Sequence, residues 1–252
     1  GIKVLDLTRV IAGPIGGRTL AAHGAQVTRI AAGHMHRDSL ALEADAGRGK
    51  QSQFIDLTTE AGRTALAERV PACDVFSQGY RPGAIDAKGF TPERLAELRP
   101  GNVCASVSAW GHEGPWARRR GFDSLVQTAT GVNVAEGEAA GVEGPKPLPC
   151  QALDYASGHL LALGAMAGLY KRATEGGSWR VRVALARTRQ WLGGLGRIDN
   201  GFGSSTPSNE EIADLMTEIE SPYGHLYTVR YPAQLSLTPA PGKLAPVPYP
   251  YL

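Results

Sequence analysis

The segment KVLDLTRVIAGPIGGRTLAAHGAQVTRI, residues 3–30, decides the fold class. Its first five residues form an apolar strand pattern, which a glycine-rich turn at residues 12–17 connects to a helix-like stretch at residues 18–23. Gly24 then occupies the usual position of a helix C-terminal cap, and residues 26–30 give a second strand pattern. Strand, tight turn, short helix and strand predict the opening of a βαβ unit.

The same alternation continues as far as residue 184. Strand patterns recur at residues 53–57, 74–77, 103–108 and 179–184, and helical patterns at residues 60–69, from Thr91-Pro92 onward, and at residues 123–130 and 154–172. Strands that alternate with helices predict an α/β fold with an open, mostly parallel, Rossmann-like sheet flanked by helices. Because small and apolar residues occur almost all round the last helix, we expect it to be buried on most faces.

The composition of the chain excludes several classes of protein. The 252 residues are 42% hydrophobic and 20% charged, which argues against disorder, and a net charge of +2 argues against a strongly basic nucleic-acid binder. Three widely spaced cysteines without a CxxC pair argue against a disulfide framework or a structural zinc site, and they favour a reducing cytoplasm. No apolar run reaches the roughly 18 residues of a membrane span. We therefore expect a cytoplasmic protein without membrane or nucleic-acid partners.

Two loops leave their interpretation open. Gly13, Gly16 and Gly17 do not have the G-x-G-x-x-G spacing of a dinucleotide fingerprint, so the turn is either purely structural or approaches part of another ligand. His34, His36 and Asp38 favour a solvated loop over a metal site, because no second ligand cluster lies nearby in the sequence. We expect no metal centre.

Basic residues follow or precede the predicted strands. Arg48 and Lys50 come just before one strand, Arg81 follows another, and residues 118–120 are three consecutive arginines. Ligands of α/β sheets bind outside the carboxyl ends of the strands, where arginine binds phosphate by paired hydrogen bonds. Ordinary solvated surface charge is the alternative. Asp154 opens the long apolar helix and is either an N-cap or a nucleophilic carboxylate.

Several spaced motifs together resemble the family III CoA-transferases, which include formyl-CoA and carnitine CoA-transferases and their relative alpha-methylacyl-CoA racemase. The similar segments, in order over roughly residues 1–190, are VLDLTRVIAGP (4–14), HGAQV (23–27), GRGK (47–50), YRPGA (80–84), GF (89–90), SVSAWG (106–111), GP (114–115), GFD (121–123), the Asp154 segment and residues 176–183.

The resemblance implies that Asp154 is the nucleophile that attacks an acyl-CoA thioester and passes CoA to a carboxylic acid through aspartyl anhydride and aspartyl-CoA intermediates. It implies that coenzyme A is a substrate and that no cofactor is permanently bound. It also implies an interlocked homodimer. The positions that it places at or next to the CoA site are Ile11, Lys50, Ile55, Gly79, Tyr80, Arg81, Lys88 and Arg120.

The chain departs from the family pattern at several positions. Phe122 stands where the racemases have a catalytic His, while Ala31 and Gly79 stand where an acidic residue and an Asn are frequent. A non-catalytic CoA-binding paralogue and an acyl-CoA racemase or isomerase that uses Asp154 with another base remain alternatives.

Length is the largest departure, because no small domain follows the region of residues 184–191. We expect a CoA-binding large domain at residues 1–198, a linker with a short acidic helix at 199–220, and a returning C-terminal segment at 221–252. The small domain is encoded upstream, deleted or left out of this numbering. We favour the upstream location, because the chain starts without Met.

Overall fold

The computed structural model describes residues 1–34, 39–240 and 244–248, and most of its strands are separated by helices. The elements in chain order are β1 Lys3–Leu7, α1 Ala12–Ala22, β2 Gln26–Ala31, α2 Leu40–Ala46, β3 Lys50–Phe54, α3 Glu60–Ala67, β4 Val75–Gln78, α4 Pro92–Leu98, β5 Val103–Ser108, α5 Asp123–Ala129, α6 Val132–Ala140, α7 Ala152–Glu175, β6 Trp179–Ala184, α8 Leu185–Gly194, β7 Met216–Ser221 and β8 Gly224–Val229. Short 3-10 turns occur at Val70–Ala72, Asp86–Lys88, Gly201–Gly203 and Ala213–Leu215.

Six of the strands form one sheet in the order β3-β2-β1-β4-β5-β6. Every neighbouring pair in it is parallel, which confirms the predicted α/β class with helices flanking a parallel sheet. The order is that of doubly wound dinucleotide-binding sheets, whose strand order reverses between β1 and β4. In such sheets the crevice at the carboxyl ends of these two strands is the usual ligand site.

Both faces of the sheet are buried, as parallel sheets require. Val75 points into the apolar cluster that contains α1 and α7, whereas the next residue, Phe76, points into the cluster with Leu66 of α3 and Leu95 of α4. Gly16 and Gly158 let α1 and α7 approach closely, since a Cβ on Gly158 would lie 2.5 Å from the Ala12 carbonyl oxygen. The two helices therefore pack backbone against backbone.

The path of the chain places α1 and α7 on the same face. The connection through α1 joins β1 to β2 on one side, whereas the connection through α7 joins β5 to β6 on the other side. Two parallel crossovers that run in opposite directions across one face have opposite hands, although nearly all such crossovers are right-handed. α1 follows β1, and α7 ends just before β6 begins, so both helices run antiparallel to the strands and both N-termini lie at the carboxyl edge of the sheet.

The C-terminal segment packs back onto the first half of the chain. β7 and β8 form an antiparallel hairpin, and the Arg48 guanidinium donates a hydrogen bond of 2.9 Å to the Val229 carbonyl. Further on, Gly49 N donates to the Ala245 carbonyl at 3.1 Å, and Arg29 donates to the Val247 carbonyl at 2.8 Å. These contacts hold the hairpin and the segment after it against β2, β3 and α2.

Local signals located several elements accurately. The hydroxyls of Thr59 and Thr91 cap α3 and α4 by accepting from the amides of Gly62 and Arg94, as predicted. Gly24 has the left-handed φ of +89° expected after the end of α1.

Other boundaries differ from the prediction. α1 begins at Ala12 rather than at residue 18, because Pro14 lies in the first turn, where its missing N–H costs no helical hydrogen bond. The third strand is Lys50–Phe54 rather than residues 53–57, and α2, α6 and α8 were not predicted.

Two predictions about helices were wrong. No acidic α-helix spans residues 210–219, since this stretch contains a 3-10 turn and then β7, which buries Ile219 and pairs with β8. The long helix α7 is also not buried on most faces, because Leu163 and Tyr170 on its outer side are 58% and 70% exposed. Of the residues considered as metal ligands, His36 and Asp38 lie outside the described residues, and His34 is half-exposed beside Asp56.

Candidate active site at the carboxyl edge of the sheet

Asp154 lies in the first turn of α7 and is only 6% exposed. Its backbone amide donates a hydrogen bond of 2.8 Å to Oδ2 of Asp123, which is itself buried at the start of α5. Asp154 is therefore not the N-cap of α7, a position held by Gln151. Within the part of the chain that the structure describes, no hydrogen bond engages the Asp154 carboxylate.

A small network holds Asp123 in place. The side-chain amide of Gln127 donates to the other oxygen of Asp123 and, at 3.1 Å, to the carbonyl of Cys150. The same amide accepts a hydrogen bond from the Leu148 backbone at 3.2 Å. The loop before α7, the start of α7 and α5 are thus tied together around the two carboxylates.

The electrostatics of Asp154 are unusual for a carboxyl group. Burial, with the neighbouring negative charge of Asp123 as the second cause, raises its pKa to about 7. Desolvation disfavours the charged form, and a like charge nearby acts in the same direction. A carboxyl that titrates near neutral pH, because it is buried and lies near a second carboxylate, is typical of catalytic sites.

The turn between β1 and α1 borders this region. Val10 has a φ of +69°, a left-handed conformation that is rare for a β-branched residue. Strained backbone of this kind clusters at functional sites, where the surrounding fold maintains it. Farther along the two helices, the Thr19 hydroxyl and the His159 ring lie 3.3 Å apart, so polar contacts also join α1 to α7.

An apolar pocket of 220 Å³ lies at the carboxyl ends of β1 to β4. It brings together three of the predicted CoA-site residues, Ile55, Tyr80 and Lys88, with Leu7 and Ile30 among its walls. Burial raises the pKa of the Tyr80 hydroxyl, which keeps that side chain neutral. Asp154 is not among the residues that line this pocket. The pocket and the buried carboxyl are therefore separate features, and both lie at the carboxyl edge of the sheet.

The other predicted binding residues are more scattered. Gly79 and Arg81 are exposed in the loop directly after β4, on either side of Tyr80. Ile11 is buried just before α1, and Arg120 is exposed in the turn before α5. Their contact with a ligand stays a prediction.

Lys50 occupies an interior position. Its ammonium donates to Asp6 at 2.7 Å and to the Pro14 carbonyl at 2.8 Å, and both charged side chains are 1% exposed. Burial lowers the pKa of this lysine, while Asp6 opposes the shift. The charge that was expected to face a ligand thus joins β3 to β1 and α1 instead, and its contact with CoA stays a prediction.

Sequence reasoning missed Asp123 and Gln127 beside Asp154, and it missed Arg18 and Asp45, which lie near Tyr155. Asp123 acts across 31 positions, a relation that no local pattern displays. Arg18 did leave a signal, because it is the one charged residue in an otherwise small and apolar helix. Its side chain is 9% exposed and pairs with Asp45.

Neither a metal-binding cluster nor a membrane-spanning helix is found among residues 1–34, 39–240 and 244–248. None of the His, Cys, Asp and Glu side chains in these ranges form a group of three or more that could hold a metal ion. Among the same residues, no helix combines the length and apolar character needed to cross a membrane.

Comparison with known proteins gives consistent results. The sequence model of CoA-transferase family III matches residues 1–208. The chain is 32% identical over 197 residues to the probable fatty acyl-CoA transferase Rv3272 of Mycobacterium tuberculosis, which covers 73% of this chain and 50% of that protein. It is also 32% identical over 229 residues to a formyl-CoA:oxalate CoA-transferase of Streptomyces coelicolor, with coverage of 85% and 55%.

Solved structures agree with these sequence relatives. The orthorhombic crystal structure of Rv3272 aligns with a TM-score of 0.71 at 31% identity, over 77% of this chain and 56% of that one. The chain thus spans about half the length of these relatives.

Proposed function

The chain belongs to CoA-transferase family III, and on that premise we propose that it transfers coenzyme A between an acyl-CoA thioester and a carboxylic acid with Asp154 as nucleophile. The observation that carries this proposal is the buried, unbonded carboxyl of Asp154 in the first turn of α7. Its pKa of about 7 makes it more basic, and so more nucleophilic once ionised, than an exposed aspartate.

The proposed reaction has four balanced exchanges at one carboxyl group. The Asp154 carboxylate attacks the thioester carbonyl carbon, and the C–S bond breaks. CoA departs as the thiolate, and an acyl-aspartyl anhydride is formed. The thiolate then attacks the aspartyl carbonyl and releases the donor acid. The acceptor carboxylate attacks the resulting aspartyl-CoA thioester and expels the thiolate. Finally the thiolate attacks the acceptor's acyl carbonyl in the new anhydride. The new acyl-CoA thioester forms, and the Asp154 carboxylate is released.

Two helix N-termini support the charge that develops during these steps. α7 and α1 both begin at the carboxyl edge of the sheet, where their unpaired amides and dipoles favour negative charge. Backbone donors that are fixed before the reaction stabilise an oxyanion without reorganisation. Asp123 would hold the start of α7 in place without touching the substrate.

The apolar pocket is the proposed binding site for the nucleotide end of CoA. Ile55 and Tyr80 would contact the adenine ring, while Lys88 and the exposed Arg81 supply positive charge for phosphates. Gly79 would let the backbone approach the ligand. Ile11 and Arg120 would border the path from this pocket to Asp154.

The domain division and the dimer are part of the same proposal. Residues 1–198 would form the CoA-binding domain, residues 199–220 a linker, and residues 221–252 the returning segment. The interlocked homodimer would cover apolar side chains that are exposed in the single chain, such as Leu163 at 58% and Trp191 at 49%. Light scattering of the purified chain tests the dimer.

Trapping of the aspartyl intermediate tests the mechanism. The chain is incubated with acetyl-CoA and oxalate in the presence of hydroxylamine, and the peptide that contains residue 154 is analysed by mass spectrometry. We expect a hydroxamate on Asp154 in the unaltered chain and in the exposed control Asp214→Asn, and none in Asp154→Asn.

The outcomes separate the alternative functions. Absence of any adduct with every acyl-CoA tried contradicts the transferase proposal and leaves a CoA-binding paralogue. Exchange of the α-proton of the thioester without CoA transfer would instead indicate an isomerase, although Phe122, 61% exposed, stands where the racemases have their histidine.

A further inference from the structure

A second pocket, of 580 Å³, lies beside the start of α7. Its walls come from α1, α2, the residue after Asp154 and the β7–β8 hairpin, and they include Arg18, Asp45, Arg48, Tyr155, Leu226 and Thr228. Its lining includes Tyr155, the residue after the proposed nucleophile on α7, but not Asp154 itself. It is separate from the apolar pocket at the ends of β1 to β4.

The pocket carries more positive than negative charge. Arg18 and Arg48 both form ion pairs with the single carboxylate of Asp45, and each arginine side chain is 9% exposed. The lining contains no other acidic side chain, while Arg230 of the hairpin adds a further positive charge. One carboxylate therefore faces two buried guanidinium groups, and a second anion would balance them.

Arg18 has donors that the fold does not use. Its Nη1 binds Asp45, and its Nε is buried without a hydrogen-bond partner among the described residues. Arg48, by contrast, places its three nitrogens on Asp45 and Val229. A buried donor without a partner destabilises the folded chain, and a planar carboxylate matches the fork of a guanidinium.

Tyr155 connects this charge to the nucleophile. Burial and the negative charges of Asp45 and Asp154 raise the pKa of its hydroxyl, and the positive charge of Arg18 opposes them. The Tyr155 ring thus lies within electrostatic range of both carboxylates and of Arg18. A molecule that reacts at Asp154 and extends past Tyr155 would meet the two arginines.

We infer that this pocket binds a second carboxylate of the acid substrate through Arg18, so that the chain prefers dicarboxylic acids and their CoA thioesters over monocarboxylic ones. This inference rests on the proposed function only in that the substrate's other carboxyl group, or its thioester, would react at Asp154. The binding of the second carboxylate is a property of Arg18, Arg48 and the hairpin wall.

Calorimetry on the complete chain tests the inference without turnover. Succinate is compared with butyrate, and glutarate with valerate, at pH 8, fixed ionic strength and saturating CoA. We expect each dicarboxylate to bind at least tenfold more tightly than its monocarboxylate partner. Arg18→Gln should reduce that ratio below threefold, whereas Arg94→Gln, a change at an exposed arginine on α4, should leave it unchanged.

The possible outcomes are decisive in both directions. Equal affinity for the two acid classes in the unaltered chain overturns the inference, as does an unchanged ratio in Arg18→Gln. A loss of CoA affinity in Arg18→Gln would assign the site to a phosphate of CoA and would also overturn it. If Arg18→Gln does not fold, Arg18→Met removes the charge but keeps much of the apolar side chain, and an unchanged ratio there has the same meaning.

Failure of the proposed function gives a different pattern. A chain that never forms the Asp154 adduct can still show the Arg18-dependent preference for dicarboxylates. If the chain forms the adduct but shows no such preference, the proposed function stands and only this inference fails.

Discussion

Oδ2 of Asp123 accepts the backbone amide hydrogen of Asp154 at 2.8 Å, so one buried carboxylate holds the helix turn that carries another. The contact has two opposing effects. It satisfies an amide at the start of α7 that has no partner within the helix, and it places a negative charge beside the proposed nucleophile.

Asp123→Asn separates the two effects. The asparagine oxygen can still accept from the Asp154 amide, and its NH2 group then replaces the oxygen that accepts from Gln127. Because the negative charge is gone, the pKa of Asp154 should fall below about 7. The ascending limb of kcat/KM against pH should move to lower pH. Asp123→Ala also removes the hydrogen bond and should destabilise the chain by about 1 kcal/mol in addition. An unshifted pH profile in Asp123→Asn would contradict the electrostatic coupling.

Asp154→Asn should stabilise the chain at high pH. The folded-state pKa of about 7 lies above the ordinary value of 3.8, so the folded chain binds this proton more tightly than the unfolded chain. Stability therefore falls as pH rises from about 4 to 7. The variant, which cannot ionise, should match the parent near pH 4 and exceed it at pH 8 by on the order of 3 kcal/mol.

Urea denaturation at pH 4, 6 and 8 measures this difference. A stability difference that does not change with pH would show that residue 154 is not a buried ionisable group in the folded chain. Such a result would also remove the argument for its enhanced nucleophilicity.

Gly158→Ala should disrupt the contact between α1 and α7. The new Cβ would lie 2.5 Å from the Ala12 carbonyl oxygen and 2.7 Å from Cβ of Ile15, so the two helices must separate. Overpacking of this kind destabilises by about 1–3 kcal/mol, and CoA transfer should fall with it. Gly194→Ala is the matched control, since nothing lies within 4 Å of its Cβ. Equal stability of the two variants would contradict the close packing.

Lys50→Met and Lys88→Met should have opposite consequences. Loss of the Lys50 ammonium leaves Asp6 buried without its partner and should destabilise the chain by about 3–5 kcal/mol. Lys88 lines the apolar pocket and is partly exposed, so its loss should weaken CoA binding several-fold with little change in stability. Urea denaturation and a CoA titration check both. Weakened CoA binding by a stably folded Lys50→Met chain would place that ammonium in the ligand site after all.

The fold was predictable where the signal is local. The mostly apolar run VCASVS at residues 103–108, with its β-branched valines, favours a buried strand, and Thr59 and Thr91 mark helix starts through their own hydroxyls. The stretch at residues 210–219 was misread because its acidic residues favour a helix, whereas pairing with β8 and burial of Ile219 decide the outcome. That pairing is a tertiary effect.

The site was predictable only in part. Asp154 stood out because it opens a long apolar helix and because the surrounding motifs resemble a known family. Its partner Asp123 and the pair of Arg18 with Asp45 depend on contacts between separate elements, which neither spacing nor composition reveals. The buried position of Lys50 was hidden for the same reason, since its partner Asp6 is 44 positions away.

The positions of the apolar pocket and of α7 along the chain have a consequence for the order in which the molecule is made. The apolar pocket is built from residues 7–88, all of which precede the nucleophile in the chain. The contact of Thr19 with His159 joins positions 140 residues apart and can form only after α7 exists. During synthesis, the nascent chain therefore contains every residue that lines the apolar pocket well before Asp154 is added.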